Sequence, residues 1–298
     1  MQNLKMTERL MAATILLNLI LGASTYSYND VQNWGDTFSK CKGRNQSPII
    51  FNGRIGPGSP DDKNNMKFMD ITKFPTRMTI KNTGHTVVIR PEWSGKAPEL
   101  AGGPLNGTYV FEKITFHWTK EQDKMGSEHM NYEFTKPAWA DMEMHMIFYR
   151  KDLNTFHKAE SADEGLTIIS FMLVTGNKYE GTMLKELEES LDKVQSINST
   201  SEIRSFASSS LFTLPPNPFI FYKGSLDYPP CSESVAWLLC QVHIPISKAL
   251  LTSFRNIKFS NGDVSNVRPL QAQEDRQAKF EYINYDFSAI MKDVKLFQ

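Results

Sequence analysis

Several short segments of this chain alternate apolar and polar residues, and this two-residue period limits its possible folds most strongly. Residues two apart on a strand share a face, so each such segment predicts a strand. These segments are Met78 to Ile80, Thr86 to Ile89, Tyr109 to Phe116, Met142 to Tyr149 and Leu166 to Leu173. Between Thr182 and Val194 the apolar residues recur every three or four positions, which predicts a helix. We therefore expect a mainly β (α+β) protein with a few helices.

Composition excludes one large class of partner. With 40% hydrophobic residues, the 298-residue chain can bury a substantial core. Its 33 basic and 33 acidic residues cancel, so no overall field attracts nucleic acid. No linker or repeat divides the chain, and the simplest organisation is one domain over residues 25–285 with a C-terminal tail over 286–298.

The N-terminus has the pattern of a secretory signal. Lys5 and Arg9 precede an apolar run from Leu10 to Leu21, and small residues follow up to Ser24. The alternative, a membrane anchor, needs about 20 apolar residues, and this run is shorter. We expect residues 1–24 to be removed and the protein to be secreted, with no membrane span. Sequons at Asn106 and Asn198 are candidate glycosylation sites.

The chain has three cysteines, Cys41, Cys231 and Cys240. In an oxidising compartment an odd count predicts one disulfide and one remaining thiol. The count alone leaves the pairing open.

Two predicted strands carry histidines with suitable neighbours for a metal site. Thr115 and His117 share one strand face, and Glu143 and His145 share another. A carboxylate beside a histidine can accept its ring proton and leave the other nitrogen available to a metal. From the residues alone, histidines that only make structural hydrogen bonds are the commoner alternative.

A series of short motifs, in order and at nearly the expected spacing, resembles the α-carbonic anhydrase family from about residue 26 to 282. The motifs are Gln46-Ser47-Pro48-Ile49, Thr83-Gly84-His85, Phe116-His117-Trp118, Gly126-Ser127-Glu128-His129, Glu143-Met144-His145, Gly224-Ser225-Leu226, Pro229-Pro230, Glu233, Trp237, Pro245-Ile246-Ser247, Asn266-Val267-Arg268-Pro269 and Asp275-Arg276-Gln277. The resemblance implies a single domain with a central, largely antiparallel twisted sheet, peripheral helices, and a conical pocket ending at a zinc ion held by three histidines.

The resemblance places His117 and His145 at two zinc-ligand positions and Thr115 at the third. Zinc-dependent CO2 hydration needs three neutral nitrogens and one open position, because that field lowers the pKa of bound water to about 7. A threonine hydroxyl is a poor zinc ligand. We therefore expect zinc to bind weakly or not at all.

Further departures surround the missing histidine. Asp227 occupies the position of a threonine that normally donates a hydrogen bond to the glutamate at Glu128, and an ionised aspartate cannot donate. Two such carboxylates would repel each other or share a proton. Tyr228 replaces a second threonine on the CO2 side of the pocket, and Lys113 replaces the residue that supports the lost histidine.

Other pocket positions are kept. The resemblance implies a buried acid at Glu128, an apolar wall with Ile168, Leu226 and Trp237, and a proton-shuttle position at His85. We interpret His85 as vestigial, and a plain turn residue is the alternative. His129 is expected to be structural. Secreted members also imply a disulfide between Cys41 and Cys231, which leaves Cys240 as a buried thiol.

Two functions follow as hypotheses. The first is a secreted carbonic anhydrase-related protein without three-histidine CO2 hydration, which acts as a binding module for a protein or glycan partner. The second is an active zinc-dependent carbonate dehydratase in which Asp227 joins His117 and His145 as a ligand, a combination that zinc accepts. A purely structural matrix protein has no feature in its favour beyond secretion.

Overall fold

The computed structural model describes residues 26–51, 55–124, 126–130, 138–176, 182–211 and 218–284. The predicted signal peptide and C-terminal tail lie outside these residues. Within them, one sheet is built from strands β1 (Met66–Met69), β2 (Arg77–Asn82), β3 (Val87–Glu92), β4 (Glu99–Ala101), β5 (Thr108–His117), β6 (Met142–Arg150), β7 (Leu166–Thr175), β8 (Thr200–Ile203), β9 (Pro218–Gly224), β10 (Val235–Cys240), β11 (Ile244–Ile246) and β12 (Lys279–Asn284).

The helices are short and lie between the strands. The α-helices are α1 (Trp34–Thr37), α2 (Phe156–Ala159), α3 (Thr182–Leu191) and α4 (Lys248–Asn256). Single 3₁₀ turns span Tyr28–Asn33, Ser39–Lys42, Lys151–Leu153, Asp192–Val194, Ser208–Leu211 and Ser260–Gly262. The prediction of a mainly β protein with a few helices in one domain is confirmed.

The sheet is mixed but largely antiparallel. Its strand order is β11-β7-β10-β9-β12-β1-β4-β5-β3-β2-β8, and β6 pairs with both β5 and β7. Parallel pairing is confined to β1 with β12, and to β7 with β10 and β11. The long strands β5, β6 and β7 are therefore adjacent, and β5 and β6 carry His117 and His145.

The predicted strands and helix correspond to observed elements, with two corrections. Thr86 lies just before β3, which begins at Val87. Its hydroxyl donates a 2.6 Å hydrogen bond to the Phe116 carbonyl. β6 and β7 do not have one apolar and one solvent face: both faces are buried along most of their length, as expected for central strands covered on both sides. The predicted helix is α3 followed by the 3₁₀ turn Asp192–Val194.

The disulfide joins Cys41, in the N-terminal 3₁₀ segment, to Cys231, in the loop between β9 and β10. This is the pairing that the resemblance implies. Cys240 is buried at the end of β10, with its sulfur 3.7 Å from the Val242 carbonyl oxygen. Over the described part of the chain, no helix has the length and apolar character needed to cross a membrane.

Candidate functional site

Strands β5 and β6 bring four of the predicted site residues together. Their antiparallel register places Thr115 opposite His145 and His117 opposite Glu143. All four side chains are buried. The two imidazole rings lie with their centroids 4.4 Å apart.

Each histidine has one ring nitrogen fixed by an acceptor. Nδ1 of His117 lies 2.8 Å from the Asn266 carbonyl oxygen, and Nε2 of His145 lies 2.7 Å from Oε1 of Glu143. A carbonyl or carboxylate oxygen requires a donor, so each of these nitrogens carries the ring proton. When the rings are neutral, the opposite nitrogens, Nε2 of His117 and Nδ1 of His145, keep their lone pairs. Burial opposes protonation of His117, but the carboxyl groups of Glu128 and Asp227 raise its pKa well above the ordinary value, so in the absence of a metal ion its Nε2 also carries a proton.

Glu143 is a buried acceptor that organises the site. Besides His145, its carboxylate accepts hydrogen bonds from Nδ1 of His129, the hydroxyl of Ser170 and the backbone N–H groups of Glu128 and His129, all at 2.6 to 2.7 Å. Although burial alone raises the pKa of Glu143, the contacts with His129 and His145 hold it well below its ordinary value. The carboxylate is therefore ionised and sets the ring orientation of His145, as the sequence predicts. His129 contacts the Tyr222 hydroxyl at 2.7 Å and is structural.

Asp227 reaches the histidines from the loop between β9 and β10. Trp237 on β10 donates its indole N–H to the Ser225 carbonyl at 3.0 Å, and the Leu226 N–H donates to the Ser232 carbonyl at 2.9 Å. The disulfide at Cys231 holds the far end of the same loop. The position of Asp227 is thus determined by the surrounding fold.

One oxygen of Asp227 faces both histidines. Its Oδ2 lies 3.0 Å from Nε2 of His117 and 3.5 Å from Nδ1 of His145. Asp227 is only 1% exposed, and among the described residues Oδ2 has no partner at hydrogen-bonding geometry. The sequence places Asp227 near the ligand positions, and the structure brings it between them.

Glu128 lies on the other side of His117. Its Oε1 accepts the Arg268 backbone N–H at 2.7 Å and is 3.4 Å from Nδ1 of His117. Burial raises the pKa of Glu128 well above its ordinary value, and Asp227 adds to this rise while His117 opposes it. Burial also opposes ionisation of Asp227, but His117 and His145 keep its pKa below the ordinary value. The two neighbouring carboxyl groups therefore favour different states, Glu128 protonated and Asp227 ionised.

The predicted apolar wall forms one cluster. Ile168 on β7 pairs with Trp237 on β10, and both pack in a buried cluster with Leu226. Tyr228 is half-buried and packs against this cluster together with Phe156. Lys113, on the same strand as Thr115, is buried with its ammonium group 4.1 Å from the centre of the Phe156 ring.

His85 lies in the turn between β2 and β3 and is partly exposed. Its ring stacks on Tyr26 with the centroids 4.1 Å apart, and burial lowers its pKa. Its backbone carbonyl accepts a hydrogen bond from the Asn266 side chain, which ties the turn to the segment that fixes His117.

Sequence reasoning assigned no role to two residues that organise the site. Asn266 fixes His117 through its carbonyl, and Arg268 fixes Glu128 through its backbone N–H. The Arg268 guanidinium also donates to the Ser47 and Leu226 carbonyls at 2.8 and 3.3 Å, and to the Gln46 side chain at 3.0 Å. Both residues belong to the motif Asn266-Val267-Arg268-Pro269, and this motif was the sequence feature that could have indicated a role in the site.

Comparison with known proteins gives one consistent result. The eukaryotic-type carbonic anhydrase family matches residues 29–282. The chain is 30% identical over 258 residues to carbonic anhydrase 7 of Mus musculus, and 29% identical over 259 residues to carbonic anhydrase 7 of Homo sapiens. Each match covers 84% of this chain and 93% of the relative. Together with the fold and the arrangement of His117, His145 and Glu143, these matches show that the chain belongs to the eukaryotic-type carbonic anhydrase family.

Proposed function

We propose that this protein is a secreted carbonic anhydrase-related protein that does not hydrate CO2 at a three-histidine zinc and acts as a binding module. The observation that carries the proposal is Thr115. It is buried on β5 directly opposite His145, at the position where the family resemblance implies the third imidazole. A hydroxyl in place of an imidazole removes one of the three nitrogens on which the hydration chemistry depends.

Asp227 supports the same conclusion. The resemblance implies a hydroxyl at this position that donates to the glutamate and orients the nucleophile. The carboxylate of Asp227 lies instead against His117, and it has no proton to donate when ionised. A negative charge here also offsets the positive charge that a metal would bring to the reaction.

The family normally binds zinc, and the described residues retain donors suitable for it. If zinc is bound, it would supply a Lewis acid at the base of the pocket, held by His117 and His145. Asn266 and Glu143 position those two rings, and Trp237 of the apolar cluster contacts His145 with the ring centroids 5.0 Å apart.

The test is a stepwise restoration of the expected site. We expect Thr115→His alone to give little CO2 hydration, because Asp227 still lies beside His117. The double variant Thr115→His/Asp227→Thr should exceed the single variant at least about tenfold, the scale of one correctly placed hydrogen bond in catalysis. Strong activity in the single variant would show that Thr115 is the whole defect and that Asp227 is harmless.

Secretion is part of the proposal. The Cys41–Cys231 disulfide suits an oxidising compartment, and both sequon residues, Asn106 and Asn198, are exposed. The full chain expressed in secreting animal cells should appear in the medium without residues 1–24, and treatment with a glycosidase should reduce its mass. Retention inside the cells with an intact N-terminus would contradict secretion. The binding partner is proposed to be an extracellular protein or glycan.

A further inference from the structure

The candidate ligating atoms of His117, Glu128, His145 and Asp227 all lie within 4.8 Å of one another. A tetrahedral ion with donors at 2.0 to 2.2 Å keeps those donors about 3.3 Å from each other. Oδ2 of Asp227 is 3.0 Å from Nε2 of His117 and 3.5 Å from Nδ1 of His145. These two separations lie on either side of the tetrahedral value.

The two nitrogens involved are the ones that offer lone pairs once the rings are neutral, which a bound cation requires. Asn266 and Glu143 occupy the opposite nitrogens of the rings and hold each ring in place. Metal-binding histidines are characteristically fixed in this way by a carbonyl or carboxylate behind the ring. Both supports are present without any contribution from Thr115.

The oxygen between the rings lacks a partner. Oδ2 of Asp227 is buried, and in the described part of the chain no donor is aligned with it. A buried carboxylate oxygen without a donor is costly unless a cation neutralises it. Oε2 of Glu128 is likewise buried without a partner among the described residues. Asp227 remains the better candidate, because the Glu128 carboxyl accepts the Arg268 N–H through Oε1 and approaches His117 at Nδ1, whereas Asp227 faces Nε2 of His117 and Nδ1 of His145.

We infer that His117, His145 and Asp227 form a three-ligand site for zinc, in which a carboxylate from the β9–β10 loop replaces the imidazole missing from β5. Two histidines and one carboxylate are an established ligand combination for zinc. The site differs in charge from one with three imidazoles, because the anionic ligand offsets one of the two charges of the ion. This inference rests on the proposed function, since it concerns how the same pocket is rebuilt, and it explains why metal binding and loss of hydration can occur together.

Metal content provides the test without any measurement of activity. The full chain is stripped with a chelator, titrated with Zn²⁺ by calorimetry, and analysed for bound metal after dialysis. We expect one zinc per chain in the wild type. Asp227→Asn should weaken zinc binding by at least about 100-fold, since loss of an outer-shell residue alone costs 10- to 100-fold. His145→Ala should weaken it similarly.

The matched control is Thr115→Val, which keeps the shape of the neighbouring side chain and removes its hydroxyl. We expect its zinc affinity to equal that of the wild type. Co²⁺ in place of Zn²⁺ adds a spectroscopic measurement: its visible bands should change in Asp227→Asn and stay the same in Thr115→Val. Circular dichroism establishes that each variant is folded before titration.

Three results would overturn the inference. Folded wild-type chain that binds no zinc would show that His117 and Asp227 form a metal-free ion pair, and the proposed lack of CO2 hydration would still stand. Equal zinc affinity in Asp227→Asn and the wild type would remove Asp227 from the ligand set. Loss of zinc in Thr115→Val would identify Thr115 as the third ligand. Conversely, CO2 hydration by zinc-loaded wild type would contradict the proposed function while leaving the ligand set intact.

Discussion

Oδ2 of Asp227 lies 3.0 Å from Nε2 of His117, although the two residues are 110 positions apart in the chain and Asp227 lies in the β9–β10 loop while His117 lies on β5. In a family member with three histidines, the resemblance implies a neutral hydroxyl near this point. Asp227 places a buried negative charge beside both histidines. Thr115, at the position of the third imidazole that the resemblance implies, and Asp227 thus both adjoin His145, Thr115 across the strand pair and Asp227 through Oδ2.

Glu143→Gln should lower the free energy of unfolding by about 3 kcal/mol or more, because the amide would place a donor among groups that already donate. The native carboxylate has a pKa held below its ordinary value, so its stabilising contribution is complete above the unfolded-state pKa, near 4.3, and is lost as the pH falls. Urea unfolding at pH 7 and at pH 4 measures both effects. The difference between wild type and variant should shrink at the lower pH.

Glu112→Gln serves as the control for this change. Glu112 pairs with Arg90 at 2.6 Å on the accessible side of β5. Partly exposed pairs of this kind contribute about 0 to 1 kcal/mol. An equal loss in Glu112→Gln and Glu143→Gln would contradict the central role of Glu143.

Lys113→Met should stabilise the fold. Lys113 is 8% exposed, and burial lowers its pKa to about 8. A lysine with a folded-state pKa below its unfolded value costs stability at neutral pH, and this cost decreases as the pH rises toward 10. From the difference in pKa we expect a gain of about 2 to 3 kcal/mol at pH 7, falling to roughly half at pH 9.5.

Denaturant unfolding of Lys113→Met at the two pH values measures this gain, with Lys81→Met as the control. Lys81 is exposed on β2, which is separated from β5 by β3 in the sheet, so its replacement should change stability by less than about 0.5 kcal/mol. A loss of stability in Lys113→Met would mean that the contact with the Phe156 ring outweighs the cost of burying the charge.

Replacing both Cys41 and Cys231 by serine should destabilise the protein by about 5 kcal/mol in the chain-entropy description, because the disulfide closes a loop with a sequence separation of 190. The loop that carries Asp227 would also lose its anchor at Cys231. Cys240→Ala, which removes the buried thiol at the end of β10, should cost only about 1 kcal/mol. Thermal unfolding under non-reducing conditions compares the two. Equal stabilities of the double variant and the wild type would contradict the prediction.

Local periodicity predicts the central strands of this fold well. The segments that became β2, β5, β6, β7 and α3 have clear two-residue or three-to-four-residue patterns, and the pairing of Glu143 with His145 follows from their two-residue spacing. The pattern does not show which strands are covered on both sides. This is why the burial of both faces in β6 and β7 was missed.

Long-range pairing explains what the residues alone could not predict. Strands β1 and β12 pair in parallel, with Met66 opposite Ile283, although these two residues lie far apart in the sequence. Likewise, the contact of Asp227 with His117 depends on the β9–β10 loop, which the Arg268 guanidinium and the Cys231 disulfide position. The family resemblance predicted that Asp227 lies near the ligand positions. Only the structure shows that its Oδ2 faces Nε2 of His117 and Nδ1 of His145.

The most direct test of this account is CO2 hydration by the wild-type chain, saturated with zinc and followed by stopped-flow measurement of the pH change. We predict a rate equal to that of buffer containing the same zinc concentration, because Thr115 and Asp227 together remove the three-imidazole site. Saturable hydration by the wild type that disappears in His117→Ala would contradict the account.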